Sequence, residues 1–600
     1  MSSDTCRGGR LQRMLAVVIV LSVAGPAVVR AARPNVLLIV CDDLNDSVEG
    51  FGGHPQTRTP CLNRFAKTAT RFQRAYSNAP ICAPSRSSFL TGIFPGTSGN
   101  YNFHKWFEIP VLKNSKTVMT HFKGNGYHVA GTGKLMHHHR RGEFHEFGHP
   151  ADYGPFAFDG KKRVAHPSVP EVLHELGTLD GSFAPLSDVP FGGTDGRGWV
   201  SGNWKNPNQV WRYAAADDRD RTPDEINAAW AAEFIRDYPR KNSKKPFFLG
   251  VGFIRPHTPM VAPQRFFDLF PLKSVKPAEF LVGNTHFAGA APDGKGFRSF
   301  QLLKQGYGSA EAGLKAYTRA YLACVAAVDE CVGQVLDALD DSQQADNTIV
   351  IVTSDHGFHL GEKEYVFKNS LWEESTRVPL VIRAPGLSRS GTDVGHPVSL
   401  IDLYPTLVDL CSLKGDTRRN DQGRPLDGHS LRPFIEDPES TTWDGPDGAL
   451  TVVGGGWTPH SRHHWSYRTR RWRFIRYSNG QEELYDHDTD PGEGINLATS
   501  TAHDRIRKSL SDELGKVRGP VAPGAIPQPA AQRKWDWFAA VDQDKDGRAT
   551  EAEWLAWSQA ADRRNGKAFD AEQRKKVFSF FDTNKNGFLS RAELEAVSSK

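Results

Sequence analysis

Residues 34–44, PNVLLIVCDDL, form a short apolar run rich in β-branched residues that ends in two acids, Asp42 and Asp43. This pattern is typical of a strand buried on both faces of a parallel sheet, with polar groups at its carboxyl end. The same design recurs in FFLGVGFIRPH at 247–257 and in TIVIVTSDHG at 348–357. We therefore predict three parallel strands whose polar ends converge at one edge of a sheet.

A helical pattern separates the second and third runs. In LKAYTRAYLACVAAVDECVGQVLDALDD, residues 314–341, apolar side chains recur every three or four positions, which is the period of an amphipathic helix. Strands that alternate with helices predict an α/β fold in which helices cover the sheet. In such a fold the functional site lies where the strands end.

Other parts of the chain differ in composition and in the pattern of apolar residues. Residues 140–225 are rich in Gly, Pro, Asp and His, which predicts long loops of a functional or mobile kind. In WSYRTRRWRFIRYSNGQEELYD, residues 465–486, alternating runs flank a Ser-Asn-Gly turn, and this pattern predicts an antiparallel hairpin. Four prolines in GPVAPGAIPQPA, residues 519–530, predict a semi-rigid linker.

Two loops beyond this linker have the spacing of EF-hand calcium sites. Each places oxygen donors at positions 1, 3, 5 and 12, a glycine at 6 and a backbone carbonyl at 7. Acidic surface turns are the alternative, but they do not place glutamate twice at position 12. The sequence therefore predicts an all-α EF-hand pair that holds two calcium ions. The predicted ligands are Asp542, Asp544, Asp546, the carbonyl of Arg548 and Glu553 in the first loop, and Asp582, Asn584, Asn586, the carbonyl of Phe588 and Glu593 in the second.

Composition bounds the class of protein. The chain has 600 residues, of which 38% are hydrophobic and 24% charged, and this predicts a globular protein with more than one domain. A formal net charge of +5 without a polybasic run indicates no nucleic-acid partner.

The N-terminus has the features of an export signal. Arginines precede an apolar stretch from Met14 to about Ala24, and cleavage is expected near Ala31. An uncleaved membrane anchor is the alternative, but Pro26 interrupts the run before the roughly 20 residues that a spanning helix needs. We predict a signal peptide over residues 1–31, no stable membrane insertion after its cleavage, and a secreted or periplasmic protein.

The cysteines are too sparse for a disulfide scaffold. Of seven in the chain, six lie beyond the predicted signal peptide. Taken alone, Cys82 is more simply a small buried residue than a catalyst. Its context differs, because two acid-containing strand ends supply oxygen ligands for a divalent cation. Each acid pair alone could instead be a helix cap or a solvated turn.

The stretch CAPSR, residues 82–86, matches the signature of type I sulfatases, and the chain resembles their iduronate-2-sulfatase-like branch. The matching segments span about residues 34–515 and are VCDDL, ICAPSRSSFLTG, GTGKLMH, FIRPHTPM, TSDHGFHLGEKEYVFK and RWRFIRYSNGQEELYDHDTDPGEGINLA. Phosphonate and phosphodiester hydrolases of the same superfamily share the signature. The resemblance implies an alkaline phosphatase-like α/β sandwich with a mostly parallel central sheet and a smaller C-terminal antiparallel-sheet subdomain.

Domain boundaries follow from this resemblance and from the linker and EF-hand patterns. We expect a sulfatase catalytic domain over residues 34–440 and its C-terminal subdomain over 441–516. A Pro-rich linker is expected over residues 517–532 and the EF-hand pair over 533–600.

The resemblance also implies two cofactors. Cys82 would be oxidised to formylglycine by a formylglycine-generating enzyme, whose recognition signal Pro84 and Arg86 resemble. One calcium ion would be bound at the same place. Many sulfatases have asparagine where this chain has a histidine ligand, and imidazole is a softer ligand than calcium prefers. The implied ligands are Asp42, Asp43, Cys82, Asp355 and His356.

Further site residues receive roles from the same resemblance. One hydroxyl of the hydrated aldehyde would attack sulfur, and loss of a proton from the other would expel sulfate. Arg86 and Lys134 would hold the diol, and His137 would accept the proton. His257 would protonate the departing sugar oxygen, while Lys368 and the metal would neutralise sulfate oxygens.

Three functions remain open at this stage. The first is a sulfatase that removes O-sulfate from sulfated saccharides, and the second is a phosphonate monoester or phosphodiester hydrolase with the same nucleophile. The third is a non-catalytic calcium-dependent binding protein. The presence of every matching site residue argues against this third function. Residues 140–225 match no family segment, so the sugar is open. Within them Trp199, Trp204 and Trp211 could stack on sugar rings or pack the loop.

Overall fold

The computed structural model describes residues 33–189, 196–202, 206–242, 245–278, 294–454, 463–519 and 541–590, the last range without 543, 545, 547, 565–568 and 583–585. The predicted signal peptide, most of the predicted linker and Trp204 lie outside these residues. Within them, no helix has the length and apolar character needed to cross a membrane.

The secondary structure alternates strands and helices through the first two thirds of the chain. The α-helices are Pro60–Ala66, Cys82–Thr91, Pro95–Ser98, Pro110–Lys113, Val118–Gly124, Gly177–Asp180, Pro223–Asn242, Gln264–Asp268, Lys295–Tyr307, Ala310–Asp340, Glu373–Thr376, Leu403–Leu410, Arg432–Glu436, Asp504–Arg518, Glu551–Arg564 and Ala571–Phe581. The strands are β1 (Asn35–Asp42), β2 (Thr70–Phe72), β3 (Ala75–Tyr76), β4 (His128–Gly133), β5 (Glu146–Pro150), β6 (Phe156–Asp159), β7 (Arg197–Ser201), β8 (Gln209–Trp211), β9 (Phe247–Pro256), β10 (Thr348–Ser354), β11 (His359–Leu360), β12 (Val366–Phe367), β13 (Arg377–Val378), β14 (Leu380–Arg383), β15 (Thr392–Val394), β16 (Val398–Ser399), β17 (Gly448–Val453), β18 (His464–Thr469), β19 (Trp472–Arg476), β20 (Glu482–Asp486), β21 (Ala549–Thr550) and β22 (Phe588–Leu589).

Eight strands form the central sheet, in the order β15, β2, β14, β10, β1, β9, β4, β5. The three strands predicted from sequence are adjacent in it: β1 pairs in parallel with β10 on one side and with β9 on the other. The parallel pairing continues from β9 to β4 and β5. Only β14, among the described strands of this sheet, pairs antiparallel with its neighbours. The predicted α/β fold with a mostly parallel central sheet is confirmed.

The apolar run of β1 is continuous because both of its faces are covered. Every residue of β1 is buried. Ile39 packs into a core that contains the helix Ala310–Asp340, whereas Leu38 packs on the opposite face, into a core that contains the helix Leu403–Leu410. Burial of one such side chain contributes about 1.5 to 3 kcal/mol. Both faces must therefore be apolar, and an alternating pattern would leave one core without contacts.

A four-stranded antiparallel sheet, β17-β18-β19-β20, forms the predicted C-terminal subdomain. The predicted hairpin is present as β19 and β20, joined by a turn in which Gly480 has a φ of +85° that favours glycine. Leu510 and Leu514 of the helix Asp504–Arg518 pack on this sheet.

A buried ion network ties this sheet to the rest of the chain. Arg473 of β19 contacts the carboxylates of both Glu373 and Glu493, and Arg468 Nε donates to Glu373 Oε2 at 3.1 Å. Burial alone would raise the pKa of Glu493, but Arg473 and His487 outweigh it and lower that pKa to about 2. The network therefore holds two charged carboxylates inside the protein.

The segment predicted as long loops contains regular structure that the sequence did not indicate. β6, β7 and β8 form an antiparallel three-stranded sheet. Trp199 and Trp211 are buried in it, with ring centroids 6.3 Å apart. Of the two alternatives for these tryptophans, the structure favours packing, because neither offers an exposed face to a sugar.

The described part of the C-terminal region has the form expected of an EF-hand pair. The short strands β21 and β22 pair antiparallel and join the two loops. Trp554 and Phe578, from the two described helices, share a small apolar core with Val541.

Candidate active site

Strand ends bring the predicted site residues together. β1 lies between β9 and β10, and in this register Asp42 is opposite Pro256 of β9 while Cys41 is opposite Ser354 of β10. His257 and Asp355 directly follow these partners. Because parallel strands end at one edge of a sheet, their polar residues meet there, as the sequence predicted.

Cys82 is the first residue of the helix Cys82–Thr91 and is buried below this edge. Its Sγ lies 3.3 Å from Lys368 Nζ, 3.4 Å from His356 Nε2 and 4.0 Å from Asp43 Oδ1. Burial, reinforced by the negative charge of Asp42, raises the pKa of the thiol. An unmodified Cys82 is therefore a protonated thiol at neutral pH and a weak nucleophile.

Arg86 lies one turn along the same helix and is fully buried. Its Nε donates to Asp355 Oδ2 at 2.8 Å and its Nη2 to Asp42 Oδ1 at 3.0 Å. Its Nη1 donates to the carbonyls of Lys134 and Leu135. The guanidinium thus spans two strand ends and fixes two carboxylates relative to Cys82, a bracing contact that the motif alone did not reveal.

Each of the two neighbouring aspartates pairs with a different lysine. Lys134 Nζ contacts Asp42 Oδ2, whereas Lys368 Nζ donates to both oxygens of Asp43, at 2.6 and 2.9 Å. Asp43 has a φ of +65°, which costs a non-glycine residue on the order of 1 kcal/mol. Backbone strain of this kind is concentrated at functional sites.

The two acids also differ in their protonation. Burial raises the pKa of Asp43 to about 7, although Lys368 and His356 oppose it. For Asp42, Lys134 and Arg86 outweigh burial and hold the pKa well below its usual range. The negative charge of Asp42 is therefore already stabilised by its neighbours, whereas a further cation beside Asp43 would stabilise the charged form of that carboxylate.

The two site histidines present the same ring nitrogen to the cluster. His356 Nδ1 is 3.0 Å from the carbonyl of Gly357, and His257 Nδ1 is 2.5 Å from that of Thr258. A carbonyl only accepts, so each Nδ1 carries a proton, and in the neutral ring each Nε2 keeps its lone pair. His356 Nε2 faces Asp43 Oδ1 at 3.4 Å, and His257 Nε2 faces Asp43 Oδ2 at 4.0 Å.

His137 lies beside the cluster, three residues after Lys134. Burial and the Lys134 ammonium lower its pKa to about 3, so its ring is neutral. Among the described residues its buried Nδ1 has no hydrogen-bond partner. Its ring centroid is 5.0 Å from that of Phe103, a side chain that is 46% exposed. His137 is thus a neutral base candidate next to a solvent-facing aromatic.

The donor set fits a divalent cation. Asp42, Cys82, Asp355 and His356 are all buried, and each offers one ligand atom within 4.8 Å of the others. Carboxylate oxygens are the ligands that calcium prefers, and the lone pair on His356 Nε2 can complete such a set. Asp43 belongs to a second, overlapping group with Asp42, Cys82 and His257.

Sequence reasoning missed one member of the site. Tyr153 lies in the segment that matched no family motif, yet its ring is 4.9 Å from Lys134 Nζ. It carries no charge and stands in no periodic pattern, so only the three-dimensional structure reveals it.

The first EF-hand loop is the better described of the two. Asp542, Asp544 and Glu553 each place one carboxylate oxygen within 4.8 Å of the others. Asp546 Oδ1 accepts from the backbone N–H of Arg548 at 2.7 Å. In the second loop Asp582 Oδ1 accepts from Asn586 N at 3.1 Å, and Asn584 and Glu593 lie outside the described residues.

Three family models match parts of this chain. The sulfatase family model matches residues 34–413, a model of the C-terminal part of N-sulphoglucosamine sulphohydrolase matches residues 361–519, and an EF-hand model matches residues 575–598.

Individual relatives extend the comparison. A sulfatase of Formosa agariphila is 33% identical over 78% of this chain and 83% of its own length. Mouse iduronate 2-sulfatase is 31% identical over 63% of this chain and 69% of its own length. Among solved structures, a phosphonate monoester hydrolase from Silicibacter pomeroyi is similar in fold, with a TM-score of 0.59 and 22% identity over 80% of this chain and 94% of that one.

Proposed function

Because the chain belongs to the sulfatase family and is a sulfuric ester hydrolase, we propose that it removes O-sulfate groups from sulfated saccharides, with formylglycine derived from Cys82 as nucleophile. The observation that carries the proposal is the position of Cys82. Its Sγ lies within 3.4 Å of both Lys368 Nζ and His356 Nε2, at an edge lined by three buried aspartates. The similarity to iduronate 2-sulfatase supports a sulfated sugar of the iduronate type as substrate.

Two groups that the chain would acquire supply part of the chemistry. Formylglycine, hydrated to a geminal diol, supplies a nucleophilic oxygen. A calcium ion supplies positive charge beside it. The residues that would hold the ion are Asp42, Asp43, residue 82, Asp355 and His356.

The cationic side chains of the site have distinct tasks in this proposal. Lys368 lies 3.3 Å from Cys82 Sγ and so places positive charge where the sulfate oxygens of the substrate would lie. Arg86 donates to Asp42 and Asp355, which keeps these carboxylates in place as ligands. Lys134 orients Asp42 in the same way and adds a second ammonium next to residue 82.

The histidines would move protons. Burial and the Lys368 ammonium lower the pKa of His257, so the unliganded ring is neutral. In the imidazolium form its Nε2, which faces the cluster, would pass a proton to the departing sugar oxygen, which would leave poorly as an alkoxide. The negative charge of a bound sulfate ester would favour this protonated ring. Among the described residues His137 has a buried Nδ1 without a hydrogen-bond partner, and this nitrogen would accept the proton during sulfate release.

The test combines mass spectrometry with sulfate release. The chain is produced with a formylglycine-generating enzyme, and the peptide that contains Cys82 is measured for the mass loss that conversion of thiol to aldehyde causes. Sulfate release is then measured on a panel of sulfated saccharides. Cys82→Ala should abolish release, whereas Cys61→Ala, at the half-buried cysteine of the helix Pro60–Ala66, should not.

Other outcomes would separate the alternatives. Conversion with cleavage of phosphonate monoesters or phosphodiesters, but not of sulfate esters, would overturn the sulfate proposal. A thiol that stays intact in the native host would indicate the non-catalytic binding protein. We further propose export to the periplasm or medium, where millimolar calcium could fill both the active site and the EF-hand loops.

A further inference from the structure

The backbone around Tyr153 is fixed from two directions. Asp152 Oδ2 accepts from Ser201 Oγ at 2.8 Å and from Gly202 N at 2.7 Å, which ties the segment to the end of β7. From the other side, the Arg255 guanidinium donates to the carbonyl of Gly154 at 2.9 Å and to that of Tyr153 at 3.4 Å. Arg255 stands two residues before His257, so Tyr153 is anchored to the strand end that carries this histidine.

The ring of Tyr153 contacts two residues with proposed roles. Lys134 Nζ lies 4.9 Å from the ring centroid, within the range of a cation–π interaction. The His257 ring lies 5.1 Å away at an interplanar angle of 67°, an edge-to-face arrangement. Burial raises the pKa of the phenol to about 12, so the hydroxyl stays neutral, and this hydroxyl also interacts with Lys134.

Two ends of the His257 ring have polar neighbours, and its Nε2 lies 4.0 Å from Asp43 Oδ2. Among the described residues its hydrogen bonds run through Nδ1, to the carbonyl of Thr258 at 2.5 Å and toward Thr258 Oγ1 at 3.4 Å. The hydrogen bond at Nδ1 and the 4.0 Å approach to Asp43 are both at ring nitrogens. The edge-to-face contact with Tyr153 adds a packing constraint on the plane of the ring, and the direction of Nε2 depends on that plane.

We propose that Tyr153 is a positioning residue that aligns His257 Nε2 with the departing oxygen of the substrate while its ring face holds Lys134 against Asp42. The inference rests on the proposed function, in which His257 protonates the leaving group. A displacement of about 1 Å at a reacting group costs up to about 100-fold in rate. If Tyr153 acts through His257, the loss of rate in a Tyr153 variant should be larger for a substrate whose leaving group needs a proton.

The experiment compares two substrates on the converted, full-length enzyme. One is 4-nitrophenyl sulfate, whose phenolate departs without protonation, and the other is the saccharide sulfate that the wild type cleaves fastest. Tyr153→Leu should lower kcat about 30-fold more on the saccharide than on the aryl sulfate, with KM on each within about threefold of wild type. Tyr153→Phe keeps the ring and should retain kcat on both substrates within about threefold.

Tyr213→Leu is the matched control. Tyr213 is a buried tyrosine of the same region, stacked on Trp211 at 6.2 Å, in a hydrophobic cluster that includes neither Lys134 nor His257. Its loss should lower stability and change the two rates by the same factor. If Tyr153→Leu does not fold, Tyr153→Met, whose flexible side chain fills the space without an aromatic face, takes its place.

Two results would overturn the inference. An equal loss on both substrates would reduce Tyr153 to a structural residue, and a Tyr153→Phe variant as slow as Tyr153→Leu would assign the role to the hydroxyl. Absence of sulfate release by the wild type would instead refute the proposed function, so the two failures are distinguishable.

Discussion

The ammonium nitrogen of Lys368 lies 3.3 Å from Cys82 Sγ, and it reaches this position while donating to both oxygens of Asp43. A cation held by a buried carboxylate is preorganised, because no reorientation is needed when negative charge develops beside it. Lys368→Met should therefore lower kcat/KM for sulfate release by about 100- to 1,000-fold without preventing conversion of Cys82. The measurement is kcat/KM for the variant and the wild type, after mass spectrometry has verified that Cys82 is converted in both.

Lys363→Met provides the control for that substitution. Lys363 is also a buried lysine, five residues earlier in the same loop, but its Nζ contacts the carbonyl of Glu493. Its replacement should lower the melting temperature and leave kcat/KM within about fivefold of wild type. A Lys368→Met enzyme as active as this control would contradict the role of Lys368.

His356 should decide how tightly the active site holds calcium. Its Nε2 keeps a lone pair toward Asp43 and Cys82, so His356→Ala removes a ligand and should raise the calcium concentration needed for activity at least about tenfold. His356→Asn supplies an oxygen, which calcium prefers, and should keep the wild-type requirement or lower it. Activity is measured after chelation and stepwise return of calcium. Identical calcium curves for wild type and His356→Ala would count against metal ligation.

The ion network around Arg473 should govern stability in acid. The pKa of Glu493 is depressed to about 2 in the folded protein, against about 4.3 in an unfolded chain. The stabilisation is thus fully present above about pH 4.3 and is lost as the pH falls toward 2, a loss on the order of 3 kcal/mol. Urea unfolding between pH 7 and pH 2 measures it.

Arg473→Met tests the same network at neutral pH. Removing the arginine leaves the buried Glu493 without its main partner and Glu373 with one cation fewer, which should cost about 3 to 5 kcal/mol. The variant should also lose the acid transition that Glu493 causes in the wild type. Arg507→Met, at a half-exposed pair with Glu482, should cost at most about 1 kcal/mol. Equal costs for both substitutions would refute the special role of the buried network.

Removal of calcium should unfold the EF-hand region while the rest of the chain stays folded. The described core of this region is small, so the ligands Asp542, Asp544 and Glu553 repel one another with little apolar burial to offset them. Chelation should remove the helical circular dichroism of residues 541–590 while the remainder stays folded. Glu553→Gln should reproduce this at intermediate calcium, whereas Glu551→Gln in the same first helical turn should not. A signal indifferent to chelator would argue against the calcium module.

The sequence was most informative where one physical pattern dominates. A strand covered on both faces must be apolar throughout, so β1, β9 and β10 were predictable, and their parallel arrangement made the meeting of Asp42, His257 and Asp355 predictable as well. The C-terminal hairpin was predictable for a similar reason, since a tight turn requires its own residue types.

Long-range contacts without a periodic signature were not predictable. Arg473 and Glu373 are 100 residues apart in sequence, and Tyr153 and His257 more than that, so no local pattern connects them. The three-stranded sheet around Trp199 escaped notice because its strands are too short to show alternation. Arg86 was recognised by its motif, but its bracing of two carboxylates depends on where three separate segments meet.

The burial of CAPSR has a consequence for how the molecule matures. Cys82 and Arg86 are 1% and 0% exposed, and the helix that carries them is buried along its whole length. If formylglycine forms as proposed, its catalyst must reach this segment before the helix docks beneath the sheet. Conversion of Cys82 then competes with folding, and a chain that folds before conversion keeps its thiol in a buried position. The speed of synthesis, and not only the presence of the converting enzyme, would set the fraction of active molecules.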